Sequence, residues 1–215
     1  MEPALLVFTK VAVGVALAAP VAVRAWKRRR ATRAARPATI GEALEGVPVR
    51  VVGRIVEAEA TLQAPMTGRR CAGYHVIVEE RAGQQWEWRG ERREGRELVI
   101  EDATGRAIVD LTTAAISDEV SVRVGRTTLD EPAVAALLKE RPGPPPRGQL
   151  RWRERALEVG TSVAVVGRAV REPDPDAVHR VTGYRAGPPT RLRFTGSPAR
   201  PVLVTDDPEF ADPAP

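Results

Sequence analysis

Cys71 and His75 are the first residues whose types and spacing suggest chemistry, since a thiol and an imidazole four positions apart can share a metal ion or form a nucleophile and base. The surrounding "CAGYHVIVEE" alternates like a strand, and in a strand positions i and i+4 share a face but lie about 13 Å apart. The spacing therefore predicts a half-buried cysteine and a surface histidine rather than a site. Asp174 and Asp176 in "EPDPDAVH" lack the twelve-residue loop, Gly and Glu of a calcium hand and read as a solvated turn. Glu101, Asp102 and Asp110 fall in a hairpin with no second feature to divide them into acid and base. The chain contains no nucleophile elbow, phosphate loop or dinucleotide fingerprint. One cysteine and two histidines exclude an internal disulfide and any multi-cysteine zinc site. No catalytic residue, metal ligand, cofactor or small-molecule substrate is expected.

Trp86 and Trp88 share one face of a strand and precede Arg89, Arg92, Arg93 and Arg96, the interleaving used by nucleic-acid platforms. Glu80, Glu87, Glu91, Glu94 and Glu97 dilute that charge. The expected arrangement is core tryptophan beside a solvated charged hairpin, with no nucleic-acid partner.

The elements that hold these residues read as β. "VPVRVVGRIVEAEATL", "CAGYHVIVEE", "QQWEWRGE", "VSVRVG", "TSVAVVGRAV", "VHRVTGYRA", "RLRFTG" and "PVLVT" are short Val-, Ile- and aromatic-rich runs between Gly and Pro. In "QLRWRERALEVG", Leu150 and Trp152 favour a strand, while Leu157 and the charge pattern would also suit a helix. "RELVIEDATGRAIVDL" (96–111) predicts a hairpin about Asp102-Ala103-Thr104-Gly105, with Gly105 at the permissive turn position. Thr39 and Glu42 have capping-box spacing and predict a short helix over 39–46. "LDEPAVAALLKERPG" (129–143) predicts another, with Asp130 as cap and Pro132 in the first turn. "VRVVGRIV" (49–56) returns as "VAVVGRAV" (163–170), each shortly after a glycine, Gly46 and Gly160. Either Val-rich strands simply resemble one another, or these are equivalent strands with Gly53 and Gly167 easing the bend of a small closed sheet. The fold class expected is mainly β: a small, partly closed barrel of the oligonucleotide/oligosaccharide-binding type with one or two short helices.

Charge is sharply segregated. Residues 1–36 hold eight Lys or Arg and one Glu, leaving 25 basic and 27 acidic side chains in the remainder, a net of −2. The overall +5 is therefore no property of the body. Residues 4–23, "ALLVFTKVAVGVALAAPVAV", are long enough at 1.5 Å per residue to cross a bilayer, with Lys10 placed to snorkel. The collar that follows carries Arg24, Lys27, Arg28, Arg29, Arg30, Arg33 and Arg36, with Trp26 at the interfacial position. A single-pass anchor is expected, followed by a β domain over 37–206 and a mobile Pro-rich acidic tail over 207–215. Basic residues placed after the span put the domain in the cytoplasm, with the collar on anionic inner-leaflet lipids.

Five stretches, "APMTGRRCAGYHVIVEE" (64–80), "WEW" (86–88), "LVIEDATGRAIVD" (98–110), "RWRERALEVGTSVAVVGRAV" (151–170) and "PVLVTDDPE" (201–209), together resemble the GIDE, or "beside a membrane", domain in order and approximate spacing. The resemblance covers roughly 45–209 and rests on Gly68, Cys71, Tyr74, Trp86, Glu101, Asp102, Gly105, Arg151, Glu154, Gly160 and Gly167. It implies a membrane-adjacent, non-catalytic module that contacts an unidentified partner protein. Relatives in mitochondrial membranes are RING-type ubiquitin ligases, which makes that activity the alternative reading. A RING needs about eight Cys/His ligands, and this chain offers Cys71, His75 and His179. The family also places this domain in the intermembrane space, the counterpart of a periplasm, against the direction set by the charges.

Overall fold

The structure, a computed structural model, describes residues 29–117, 122–140, 144–174 and 190–212. The apolar stretch 4–23, collar residues Arg24, Trp26, Lys27 and Arg28, the strand expected in "VHRVTGYRA" and the residues Asp176 and His179 lie outside the described residues.

The larger sheet runs β13 (Ala169–Pro173), β14 (Thr190–Phe194), β8 (Gly105–Asp110), β7 (Glu97–Asp102), β2 (Val49–Ala58), β12 (Ser162–Gly167), β15 (Val202–Thr205) and β9 (Ala114–Ile116), with β1 (Arg36–Pro37) parallel to β2. Among the described residues no closed barrel forms: the ladder stays open, with β13 and β9 as its end strands. It is nevertheless strongly coiled. Arg168 alone separates β12 from β13, yet five ladder steps lie between them in the sheet order. At about 4.8 Å per step a flat sheet would hold them roughly 24 Å apart, far beyond the span of one residue. Closure fails because the expected strands are shared out. β15 and β9 extend the ladder beyond β12, and β5 (Gly73–Ala82), β6 (Gln85–Gly95) and β11 (Leu150–Leu157) go to a second sheet.

The recurring octapeptides turn out to be partners. β2 and β12 pair antiparallel in a self-symmetric register: Val163 faces Gly53, Val165 faces Val51 and Gly167 faces Val49. The glycines ahead of them repeat the symmetry. Gly46 (φ 71°) donates its N–H to Ala169 O at 2.9 Å, and Gly160 (φ 93°) donates to Ile55 O at 2.7 Å. Ile55 and Ala169 occupy equivalent positions of the two octapeptides, so a local two-fold axis passes between Val51 and Val165. Val49, Val51 and Ile55 alternate inward and join Val163, Val165, Leu192 and Phe194 in the principal core.

The second sheet runs β10 (Arg123–Thr127), β11 (Leu150–Leu157), β5 (Gly73–Ala82) and β6 (Gln85–Gly95). "QLRWRERALEVG" is thus a strand, and Gly83 (φ 63°) opens the tight β5–β6 turn. Tyr74, Val76 and Val78 face a separate core with Leu150, Cys71, and Val134 and Leu137 of helix α2 (Pro132–Lys139). Glu131, not Asp130, is the α2 N-cap, because Pro132 takes the first helical position. The small ladder of β3 (Leu62–Gln63) and β4 (Arg70–Cys71) borders this core.

Thr39 and Glu42 make the capping-box hydrogen bonds, but the helix does not propagate. Ile40 N–H donates to Asp102 Oδ2 at 2.8 Å and Gly41 N–H to Thr104 Oγ1 at 2.8 Å, so the β7–β8 hairpin captures the amides of that first turn. At the N-terminal end, helical residues 29–34 (α1) lie against α3 (Pro208–Ala211), whose Phe210 and Ala211 are buried. The segment expected as a mobile tail thus contains a packed turn of helix, because Asp207 caps it through Glu209 N–H and Phe210 supplies an apolar anchor.

Candidate functional site

Glu154 is 0% exposed, and its carboxylate accepts from Met66 N–H at 2.7 Å and from the Thr67 hydroxyl. Those donors belong to the loop that Gly68 (φ 69°) turns back on itself, with Gly68 N–H on Ala64 O at 2.8 Å. Arg69 closes the cluster, donating to Thr67 Oγ1 at 3.0 Å and to Glu158 Oε1 at 2.8 Å. Cys71 lies beneath, 2% exposed, and burial followed by the Glu154 charge pushes its thiol up to about 11. A protonated, enclosed thiol is a poor nucleophile and a poor ligand. The cluster is a clasp on the 64–69 loop.

His75 is buried rather than superficial, and alternation along β5 puts it on the face opposite Tyr74 and Val76. It therefore faces away from the core that holds Cys71, and the two do not form a site. His75 Nε2 is 3.1 Å from Glu91 Oε2, and Arg93 and Arg155 flank it across the strands. Arg155, which the sequence did not single out, is 1% exposed, pairs with Asp206 at 2.7 Å and donates to Ser117 O. Arg93 donates to Ala114 O at 3.2 Å. These two guanidiniums cover carbonyls at and just beyond β9, the end strand of the larger sheet. The signal for Arg155 was its register: Arg recurs at 151, 153 and 155 of "RWRERAL" before Leu157 ends the alternation, and Arg155 pairs with Asp206 of the neighbouring sheet's flank.

The hairpin acids serve turns. Asp102 Oδ1 accepts from Thr104 N–H at 2.7 Å and Gly105 N–H at 3.0 Å, and Asp110 does the same for Thr112 at 2.9 Å. Glu101 accepts from Arg106 at 3.3 Å. Gly105 is not in the left-handed region, and a Cβ there would make ordinary contact with Ile40 at 3.4 Å, so the turn does not demand glycine for its φ. Gly167 is close to Val202, at 3.1 Å from an ideal Cβ, and Gly53 to Ile100 and the Glu101 carbonyl.

Trp86 and Trp88 do not enter the core. Trp88 is 47% exposed, and the Arg151 guanidinium stacks 4.2 Å from the Trp86 ring while donating to Glu79 Oε2 at 2.6 Å. Tyr74 does face the core, and its hydroxyl donates to Glu94 Oε2 at 2.8 Å.

Of the collar residues that are described, Arg29 pairs with Asp207 at 3.1 Å and Arg33 with Glu209 at 2.6 Å, while Arg30 and Arg36 are exposed. Thr32, between the two pairing arginines, is buried. A cavity of about 20 Å³, lined by Arg29, Thr32, Thr205, Asp207 and Phe210, lies at this junction and has room for about one water molecule. No group of three or more metal-ligating side chains occurs among the described residues, and no described helix is long and apolar enough to cross a membrane.

Comparison of the chain with protein-family models, with curated proteins and with solved structures finds no match.

Proposed function

We propose that this chain is a single-pass membrane protein whose β domain acts beside the bilayer as a non-catalytic protein-interaction module of the GIDE type. The observation that carries the reading is the seating of α1. In the sequence the apolar stretch 4–23 precedes the basic collar, and the described part of that collar begins with a helix tied to the domain by Arg29–Asp207 and Arg33–Glu209, with Thr32 and Ala35 buried. Five residues, 24–28, lie between the proposed span and the first described residue of α1, roughly 17 Å at full extension, which keeps the domain beside the membrane surface. The carboxylates and thiol of a type suited to chemistry are engaged otherwise: Asp102 and Asp110 in turns, Glu154 in the loop clasp, Cys71 within the core. The basic collar follows the span, so the domain is assigned to the cytoplasmic side.

Topology reporters test this directly. In a bacterial host, the full chain fused at its C-terminus to green fluorescent protein should fluoresce, and the alkaline phosphatase fusion should be inactive. Both should stay with the membrane fraction after carbonate washing. The reverse reporter pattern would put the domain in the periplasm, and release by carbonate would remove the anchor.

A further inference from the structure

Two of the sheet ends are covered. β9 lies under Arg93 and Arg155, and at β13 Gly46 N–H reaches Ala169 O while Arg171 donates to the Gly41 and Ala43 carbonyls at 3.2 and 3.0 Å. β10 differs: β11 is its one strand partner, and its other edge carries unpaired backbone groups among the described residues. The strand is basic and partly apolar. Arg123 and Arg126 are exposed, Val124 is 58% exposed and Leu129 42%, and no acid occurs between 121 and 129. Across to β11, Val124 faces Arg153, and Arg126 faces Arg151, which is paired with Glu79. Arg123 faces Glu154, whose buried carboxylate is taken up by the 64–69 loop, so the exposed charge of the edge is that of Arg123 and Arg126.

Resting on the interaction-module reading, we propose that the β10 edge receives an acidic, extended segment of a partner protein as a fifth strand of the second sheet. β10 already lies antiparallel to β11, and continuing that pattern sets the occupant's sequence. Read from its N-terminus, the segment meets Thr127, Arg126, Gly125, Val124 and Arg123 in turn. Directly opposed side chains interact most strongly, so the pattern is any residue, acid, any residue, apolar, acid. Single-stranded nucleic acid fits less well. Glu79 lies directly opposite Trp88 across the β5–β6 ladder and would repel phosphates along the tryptophan face, whereas an open strand edge offers amides and carbonyls that match another backbone.

The test uses the full chain in lipid nanodiscs and fluorescence anisotropy. The probes are a serine-flanked Thr-Glu-Thr-Val-Glu peptide, its lysine-for-glutamate counterpart, the acidic peptide N-methylated at alternate amides, and an oligothymidine of about twelve nucleotides. The acidic peptide should bind, weaken with added salt, and lose roughly tenfold or more in affinity with Arg126→Glu. Arg126→Gln, which keeps the side-chain length, should also weaken it, while Arg54→Glu on β2 should not. N-methylation should abolish binding. Absence of binding by the acidic peptide, equal binding of the lysine or methylated peptide, or tighter binding of the oligothymidine would each overturn the proposal. None of these outcomes alters the reporter fusions, so this failure is distinguishable from failure of the membrane reading.

Discussion

Cys71 and Tyr74 occupy neighbouring positions in the smaller core, and burial is the first cause of the rise in both pKa values: the thiol from 9.0 to about 11, the phenol from 10.0 to about 12. The Glu154 charge adds to the first and the hydrogen bond to Glu94 to the second. Both groups ionise at lower pH in the unfolded chain, so above about pH 9 the unfolded state releases protons that the folded state keeps. The stability from keeping them neutral is complete below pH 9 and is lost as pH rises through 11 and 12. Melting temperature should accordingly fall between pH 9 and 11, and the fall should be smaller in Cys71→Ala, which leaves the Tyr74 share. A curve flat over that range, or one unaltered by Cys71→Ala, would remove burial of these groups as the cause. The sequence disclosed part of this. Alternation in "CAGYHVIVEE" identified the strand, but parity is broken near Ala72, which enters the larger core while Cys71 and Tyr74 share the smaller one. No pattern within the strand announces that break, and it is why His75, expected at the surface, is buried instead.

The break belongs to the seam between the sheets. Gly73 opposes Gly95 across the β5–β6 ladder, and Leu111 fills the slot they leave: an ideal Cβ on Gly73 would lie 2.7 Å from Leu111 Cδ1, and one on Gly95 2.7 Å from Leu111 Cβ. Leu111→Ala should cost roughly 2–5 kcal/mol, as other buried leucine truncations do. Gly73→Ala should be strongly destabilising alone and largely relieved in combination with Leu111→Ala, because its clash is with the atoms that truncation removes. Gly95→Ala should not be relieved, because alanine keeps the Cβ it strikes. Denaturant melts of the three single and two double variants give the coupling energies, and equal relief of both glycine variants would refute this geometry. Hairpins and single strands were legible because turn chemistry and alternation are local: Asp102 with Thr104, Gly83 in its turn, Pro132 opening α2. Allocation of strands between two sheets was not legible, since it depends on tertiary slots such as the one Leu111 fills. The repeated octapeptide lay between these cases. Its Val-Val-Gly-Arg text was visible, while its meaning, a two-fold pairing locked by the Gly46 and Gly160 amides, required the register.

At the scale of the whole molecule, the first and last described segments, 29–37 and 207–212, meet at one corner of the larger sheet. Charge segregation divided the sequence at residue 36, yet the fold does not divide there. Arg36 and Pro37 run parallel to Val49 and Arg50 as β1, Ala38 N–H donates to Arg50 O at 3.0 Å, and α1 rests on α3 through Thr32 and two ion pairs. Arg50 in turn stands 5.8 Å from the Phe210 ring, joining β2 to the same corner. Net charge reports how a segment meets solvent or lipid, whereas a domain boundary is set by what a segment buries. Arg29 and Arg33 can serve the domain and still sit at the end of a membrane collar. A truncated chain beginning at residue 29 should therefore fold as a soluble β-rich domain and melt higher than one beginning at 37. The exposed Arg33–Glu209 pair contributes little of that difference, and Arg29, itself half-exposed, adds modestly through buried Asp207. Burial of Thr32 and Ala35 and the β1 ladder contribute roughly 1–2 kcal/mol, about 3–6 °C for a domain of this size. Thr32→Arg in the longer chain should abolish most of the gain, because it forces a second charge into the junction beside Arg29. Equal melting temperatures for the two truncated chains would mean that α1 belongs to the anchor alone, leaving the domain free to move with respect to the membrane.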